Sequence, residues 1–491
     1  MTSPPELEGR AIKNTVIIKR LSAEQGGESK AKFLPLSREL VKEITAAVKN
    51  IFDALGGASL LKSSGDVYLK PNVVGPNAYV HTRPEVVEAA VRYWFKAGAR
   101  KVYVIENCTQ AAYTRLVFEM TGYNALCQRT GAVPVYLDED DEVEYDFPGK
   151  GPVSSDPQGY ELAKFRMPRT VHEKLIREKD SNLYVSIPKL KTHSMSVVTL
   201  GIKNQWGFPI HPDRSPDHNY NLHHKLVDVL SHVRPDVTLI EGVEGTIYGH
   251  YPALALADRC VRPFRVLVGG LNVVAVDIVG ARIFGKRIED VPHLKIALER
   301  GLGDGIESER DITITGDYSR YDDLDLLHEW SQYGGQYPDD LIQEFPADVV
   351  IIKGNERACR EGCVNNPLSN LQLMSFDHHG KGGWTLIMGK GFDDDVIESI
   401  QGPVFVVGPC AVKEIGRRLV DRLGRRKVYM SRECNDLTAV VEAMCHLMKV
   451  SPLKLAPPLN PLKSLALLLQ ARMNQSSGRM TNPLANFIKL R

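Results

Sequence analysis

The stretch Ser186-Ile187-Pro188-Lys189-Leu190-Lys191-Thr192-His193, with Lys203-Asn204 ten residues beyond His193, concentrates chemistry more than any other part of the chain. It follows an apolar run, Leu183-Tyr184-Val185. A strand that passes through Pro into Lys-x-Lys-x-His cannot bury those side chains unpaired, because uncompensated charge is costly away from water. In an extended segment, Lys189, Lys191 and His193 share one face at a period of two. Two ammonium groups beside a titratable imidazole suit an anionic ligand. His193 is the candidate general acid/base. Lys203 is a candidate second base, electrophile or cofactor anchor, and Lys191 a third catalytic candidate. A solvated basic loop is the competing reading of the same residues.

Further groups extend this set. Lys70, Arg83 and Lys189, with Asn72 and Asn204, are candidate substrate-binding residues, since Arg offers a fork and Lys a point charge to a carboxylate or phosphate. Five histidines, His193, His211, His218, His223 and His224, fall within 32 positions. Their spacing matches no zinc signature, but His218 and His224 are candidate metal ligands, with Asp213 and Asp217 as orienting carboxylates. Cys359-x3-Cys363, Cys410 and Cys434 are candidate ligands of an iron–sulfur cluster or a divalent metal. On a helix, Cys359 and Cys363 would share a face; ordinary buried thiols are the alternative. Glu241 and Glu244 flank glycines after an apolar run, and Glu241 is a candidate hard-metal ligand. Asp277, inside an apolar run, needs a partner or caps a helix.

The elements that position these residues alternate. Helix Leu40 to Leu55 stops at Gly56-Gly57, strand 66–69 ends in Lys70-Pro71-Asn72, helix Pro84 to Ala97 precedes Gly98, and strand Lys101 to Ile105 follows. Such alternation predicts a parallel sheet. Several strands end alike, in Lys70, Glu106-Asn107-Cys108, Lys189 and Lys191, Glu241 and Cys410. Open α/β sheets bind ligands at the carboxyl ends of their strands, so these ends point to a common crevice. The expected layout is an arm over 1–30, a large α/β domain over 31–315, a linker over 316–346, a small α/β domain over 347–450, and a basic tail over 451–491. The tail carries Lys454, Lys463, Arg472, Arg479, Lys489 and Arg491 and no acidic residue. A basic amphipathic tail contacts a partner, another copy, a membrane surface or its own protein.

Sixty-one basic and sixty acidic residues leave a net charge of +1, which argues against nucleic-acid binding by global charge. No apolar run approaches the roughly 18–20 residues that span a bilayer. No signal peptide is evident and the eight cysteines are scattered, so a cytoplasmic protein is expected. Phosphate-loop, dinucleotide and kinase motifs are absent, giving no expectation of NAD or ATP.

Lys70-Pro71-Asn72-Val73-Val74, Thr82-Arg83-Pro84-Glu85-Val86-Val87, Pro188 to His193, Thr199-Leu200-Gly201-Ile202-Lys203-Asn204 and Val274-Ala275-Val276-Asp277 together resemble the family called domain of unknown function 362, over about residues 60–305. Many members of that family carry an iron–sulfur module, which implies a 4Fe-4S type of cluster. The closely spaced Cys-x-x-Cys repeats of that module are missing here. More distantly, Thr82-Arg83-Pro84 and the His193 to Lys203 spacing are similar to nickel-pincer lactate racemases. That resemblance implies a racemase-like α/β domain with a mostly parallel sheet. Its second catalytic histidine would fall near Asn107-Cys108, where none stands, and its glycine-rich segment is missing, so a pincer nucleotide on Lys203 is not expected. The combined expectation is an enzyme, of isomerase or lyase type, moving a proton on a small carboxylate of hydroxy- or amino-acid type. A metal or iron–sulfur carrier without substrate chemistry is the alternative.

Overall fold

The computed structural model describes residues 13–22, 36–108, 112–147, 164–216, 218–326, 330–455 and 459–478. Most of the predicted N-terminal arm, the 148–163 part of the acidic and Gly/Pro-rich insertion, Asp217, and tail residues Arg479, Lys489 and Arg491 lie outside them.

Thirteen strands belong to the first part of the chain. They are β1 (Thr15–Arg20), β2 (Asp66–Pro71), β3 (Lys101–Glu106), β4 (Val133–Tyr136), β5 (Glu142–Asp146), β6 (Lys164–Pro168), β7 (Leu183–Ile187), β8 (Lys189–His193), β9 (Val197–Thr199), β10 (Val237–Thr246), β11 (Val261–Arg262), β12 (Val266–Gly270) and β13 (Thr313–Gly316). The main sheet runs β13-β1-β12-β10-β7-β2-β3-β4, with β8 and β11 attached at β10 and β9 paired on β8. It is mostly parallel; along its main path β12 runs against both neighbours. β5 and β6 pair as a separate antiparallel ribbon.

The period of two divides the strand side chains between two cores. Tyr68 of β2 enters one, while Val67 and Leu69 enter the other. Helices Arg38–Ala54 and Pro84–Lys96 cover one face. Helices Leu222–His232 and Val273–Ile283 cover the opposite face. Ser37 caps the first helix by accepting the Leu40 N–H at 3.1 Å, and Gly56 ends it at φ 122°, where a side chain would be strained.

The second α/β unit is a four-stranded, wholly parallel sheet of β14 (Val349–Lys353), β15 (Trp384–Met388), β16 (Val404–Val407) and β17 (Val428–Ser431), in sequential order. Helices Asn365–Phe376 and Leu437–Leu447 pack on one face.

Two expectations change, and for the tail the described residues show the contact with its own protein. The strand of the supposed N-terminal arm is built into the sheet between β12 and β13, because its apolar residues Val16, Ile17 and Ile18 are needed on both faces. The 316–346 linker is a packed strap: Leu324, Trp330 and Tyr337 enter the core of the large domain and Leu341 that of the small one. The described part of the tail forms helix Pro461–Met473, which docks on helix Thr114–Met120 of its own chain through Tyr113, Leu116 and Ala471. A Lys463–Glu119 ion pair and a 2.6 Å hydrogen bond from Asn474 to Glu139 fasten it. No helix among the described residues is long and apolar enough to cross a membrane.

Candidate functional site

Adjacent parallel strands β7, β2 and β3 end at the same edge of the sheet. Lys70 and Asn72 leave β2 there, Glu106 and Asn107 leave β3, and β7 passes through Pro188 into β8 with Lys191 and His193. All of these residues line one cavity of about 120 Å³. The short helix Gly201–Asn204 adds Lys203 and Asn204, and the loop beyond it adds Trp206, Arg214 and His218. Its far wall comes from the small domain: Asn366, Asn435 and Leu437, at the starts of helices Asn365–Phe376 and Leu437–Leu447. The domains are tied beside it, where Arg360 donates to the Ser194 carbonyl at 2.8 Å and pairs with Asp339 at 2.6 Å.

The cavity is rich in buried basic groups, and they differ in their partners. Lys70 Nζ lies 2.8 Å from Glu106, whose other oxygen accepts the Val73 N–H at 2.9 Å. Lys191 Nζ donates to the Val80 carbonyl at 2.5 Å. Arg214 donates to the carbonyls of Asn107 and Cys108, at 3.3 and 2.8 Å, and to the Asn107 side chain at 3.1 Å. Among the described residues, no carboxylate is within ion-pairing distance of Lys191, Lys203 or Arg214. Burial, reinforced by Lys189 and Lys203, holds Lys191 well below the usual lysine range. Burial, with Arg214 and Lys70 nearby, brings Lys203 down to about 7. Burial takes Arg214 to about 10, still charged at neutral pH.

Lys203 is positioned from below. Asp277 accepts the N–H groups of Gly201 and Ile202, each at 2.7 Å, so its carboxylate sits at the start of the turn that carries Lys203. The approach is close: a Cβ on Gly201 would lie 2.6 Å from Val273 and 2.8 Å from Asp277. This turn cap is the partner that Asp277 required. Burial raises its carboxyl to about 7.

Two of the three cavity imidazoles, His193 and His218, differ in which ring nitrogen carries the proton. His193 Nδ1 accepts the backbone N–H groups of Met195 and Ser196, at 3.1 and 3.3 Å. A nitrogen that accepts holds no proton, so the neutral ring carries its proton on Nε2. Burial and the neighbouring His250, Lys203 and Lys191 keep the ring neutral, well below the usual range. Of the acid/base candidate His193, this tautomer leaves an N–H donor at Nε2 and no free lone pair. His218 Nδ1 lies 2.8 Å from the Arg214 carbonyl, which only accepts, so Nδ1 carries the proton and Nε2 the lone pair. The Trp206 indole also approaches this Nδ1, at 3.3 Å, and the shorter contact decides the tautomer. Burial takes His218 down to about 3. His250 stacks on His193, ring centroids 3.8 Å apart and planes within 3°.

Several polar atoms around this cavity are buried without a hydrogen bond: Asn72 Oδ1, Thr199 Oγ1, Arg214 Nε, His250 Nδ1, Asn366 Nδ2 and Asn435 Oδ1. Each such orphan costs about 1–3 kcal/mol. They gather around one cavity, where water or a polar ligand would satisfy them.

The site therefore gathers Lys70, Asn72, Lys191, His193, Lys203, Asn204 and His218 of the sequence candidates. Others go elsewhere. Lys189 is completely buried against Glu241, 2.8 Å away, because the two stand opposite each other in the ladder of β8 on β10. Arg83 does not face the cavity; its guanidinium forks onto Glu244 at 2.8 and 2.5 Å, and its N–H bonds Glu241. Its expected substrate contact is thus corrected to a structural pair. Glu241 lies in this buried cluster and is no cavity ligand; burial raises its carboxyl despite Lys189. His224 faces Arg300, at 3.1 Å, on the outer side of its helix. Asp213 pairs with Arg166 at 2.6 Å rather than orienting an imidazole.

The cysteine set also departs from expectation. Cys359 precedes the helical turn and Gly362 breaks it, so Cys359 and Cys363 do not share a helical face. Burial raises their thiols to about 12 and about 11. Among the described residues, no group of three or more His, Cys, Asp or Glu side chains is placed to hold a metal ion. Cys363 adds to the rise of the Cys359 thiol and Cys410 to that of Cys363, so these three thiols are neighbours.

Sequence reasoning missed Glu106, Asn107, Thr199, Arg214, His250, Asn366 and Asn435 as site residues. Glu106 and Asn107 carried a signal, as polar residues closing a strand, and Arg214 stands inside the histidine-rich segment. Asn366 and Asn435 had none, since they arrive on another domain.

Fold and site together define a two-domain α/β protein with a basic, histidine-lined cavity between its domains. Residues 67–282 match the family model described as Domain of unknown function (DUF362), and the chain carries that domain. A thylakoid-associated protein of Synechocystis sp. is 26% identical over 212 residues, covering 41% of this chain and 59% of that protein. The chain thus matches less than two thirds of that relative's length. A crystal structure of a Thermotoga maritima protein aligns with 85% of this chain and 93% of its own, at 10% identity and a TM-score of 0.35.

Proposed function

We propose that this protein is an enzyme that moves a proton on a small carboxylate bound in the interdomain cavity. The observation that carries this reading is that, among the described residues, no carboxylate pairs with Lys191, Lys203 or Arg214, in a cavity that also holds orphaned polar atoms. An anion entering there supplies the missing negative charge, and raises the affinity of Lys191, which holds it, for a proton as it binds.

The roles follow from protonation states. Arg214 and Lys191 hold the carboxylate. Lys203, near 7, has neutral amine available at neutral pH and suits a general base. It takes the proton from the carbon next to the carboxylate; the C–H electron pair moves onto the carboxylate as an enediolate. The His193 Nε2–H donates to that developing oxyanion without needing a charged imidazole. Return of the proton to either face gives isomerisation, and loss of a neighbouring leaving group gives elimination. His218 Nε2, a lone-pair acceptor, suits a substrate hydroxyl or ammonium group.

The test is hydrogen exchange in heavy water, followed by NMR, with lactate, malate, alanine and aspartate as probes. Enzyme-dependent loss of the α-proton signal is expected for at least one of them, falling about 100-fold or more in Lys203→Ala. No exchange above that of Lys203→Ala, together with no thermal stabilisation by any of these carboxylates, would reject the reading.

A further inference from the structure

A second cavity, of about 230 Å³, lies beside the first, and its character is different. Leu373, Met374, Val441 and Leu455 line it, from the two helices of the small domain and the segment after them. The cavities share five residues, Val74, Met195, His250, Asn366 and Leu437. They therefore adjoin, and His250, the ring stacked on His193, stands with the other four residues at the partition between them.

From this adjacency of a basic and an apolar chamber we infer that the substrate is an amphipathic anion, whose charged head sits among Lys191, Lys203 and Arg214 and whose hydrocarbon part passes the shared residues into the apolar cavity. This deepens the proposed function and rests on it. The basic chamber, about 120 Å³, has room for little more than a head group. A dry apolar cavity of about 150 Å³ accepts benzene, so the second chamber takes a hydrocarbon group somewhat larger than six carbons. About half of its wall, Leu373, Met374 and Val441 included, belongs to the small domain, while the bases and acids belong to the large one. The small domain thus selects the hydrocarbon part, and the large domain acts on the head. A ligand bridging both chambers also holds the domains together, since Asn366 and Leu437 face each chamber.

The test is calorimetric binding of a straight-chain carboxylate series, acetate through decanoate, to the full chain, with 1-octanol as an uncharged control. Affinity is expected to rise about fourfold per added methylene, the transfer free energy of a CH2 group, up to the length that fills the chamber. Val441→Phe, which narrows only the apolar chamber, is expected to shorten the best chain while leaving acetate binding unchanged. Equal binding of all lengths would overturn the inference while leaving the anion site standing. Octanol binding as well as octanoate would overturn both readings, because the charged head would then contribute nothing. A Val441→Phe variant that weakens acetate and octanoate alike would also overturn the inference; circular dichroism and a thermal melt on the same sample establish that it is folded.

Discussion

Replacing Lys203 by Met should make the protein more stable at pH 6, and the gain should fade as pH rises. Lys203 is surrounded by Arg214 and Lys70 and has no carboxylate partner among the described residues, and these surroundings lower it from 10.5 to about 7. Below pH 7 the lysine is charged in both folded and unfolded chains, so the folded state carries the full penalty. Between about 7 and 10.5 the unfolded chain binds the proton and the folded one does not, so wild-type stability rises with pH. Above 10.5 both are neutral and the penalty is gone. At about 1.4 kcal/mol per pH unit, the drop sets an upper bound of about 5 kcal/mol. Lys203 keeps partial contact with solvent through the cavity, and screening reduces this to about 2–3 kcal/mol. Methionine keeps the length and apolar stem, so packing changes add only a pH-independent offset. Urea unfolding of both proteins at pH 6, 8 and 10 measures the difference. A wild-type to mutant gap that stays constant across that range, or grows with pH, would refute the assignment of Lys203 as an uncompensated buried amine.

Two further outcomes follow from the same geometry. Glu106→Gln keeps the shape but leaves Lys70 buried beside an amide, and should cost about 3–5 kcal/mol in urea unfolding at neutral pH; the loss should shrink at alkaline pH, as Lys70, already held low by burial, gives up its proton. Asp277→Asn turns an NH2 group toward the N–H groups of Gly201 or Ile202 and should cost about 1–3 kcal/mol, with hydrogen exchange speeding at Ile202 and Lys203 before the rest of the sheet.

What the sequence determined alone was local. Alternating apolar patterns, Pro84 at a helix start and Gly56 at a helix end marked the parallel architecture, and the polar residues closing β2, β3 and β7 marked the edge where chemistry would gather. Side-chain period and backbone punctuation act within a few residues, so they are legible in a chain read by itself. The tertiary structure decided which charges meet. Lys70 and Lys189 looked like Lys191 and Lys203, yet the first two reach Glu106 and Glu241, 36 and 52 positions away. Arg83 finds Glu244, 161 positions on. A buried charge binds substrate or holds the fold according to whether a carboxylate lies within about 4 Å, and that distance is set by strand order and register, not by composition. The same holds for His193, whose identity was plain in the sequence but whose proton was not. Two backbone N–H groups of the tight turn after β8 fix it on Nε2. Asn366 and Asn435 reach the site only because the small domain closes over it, a packing of apolar surfaces that no local pattern encodes.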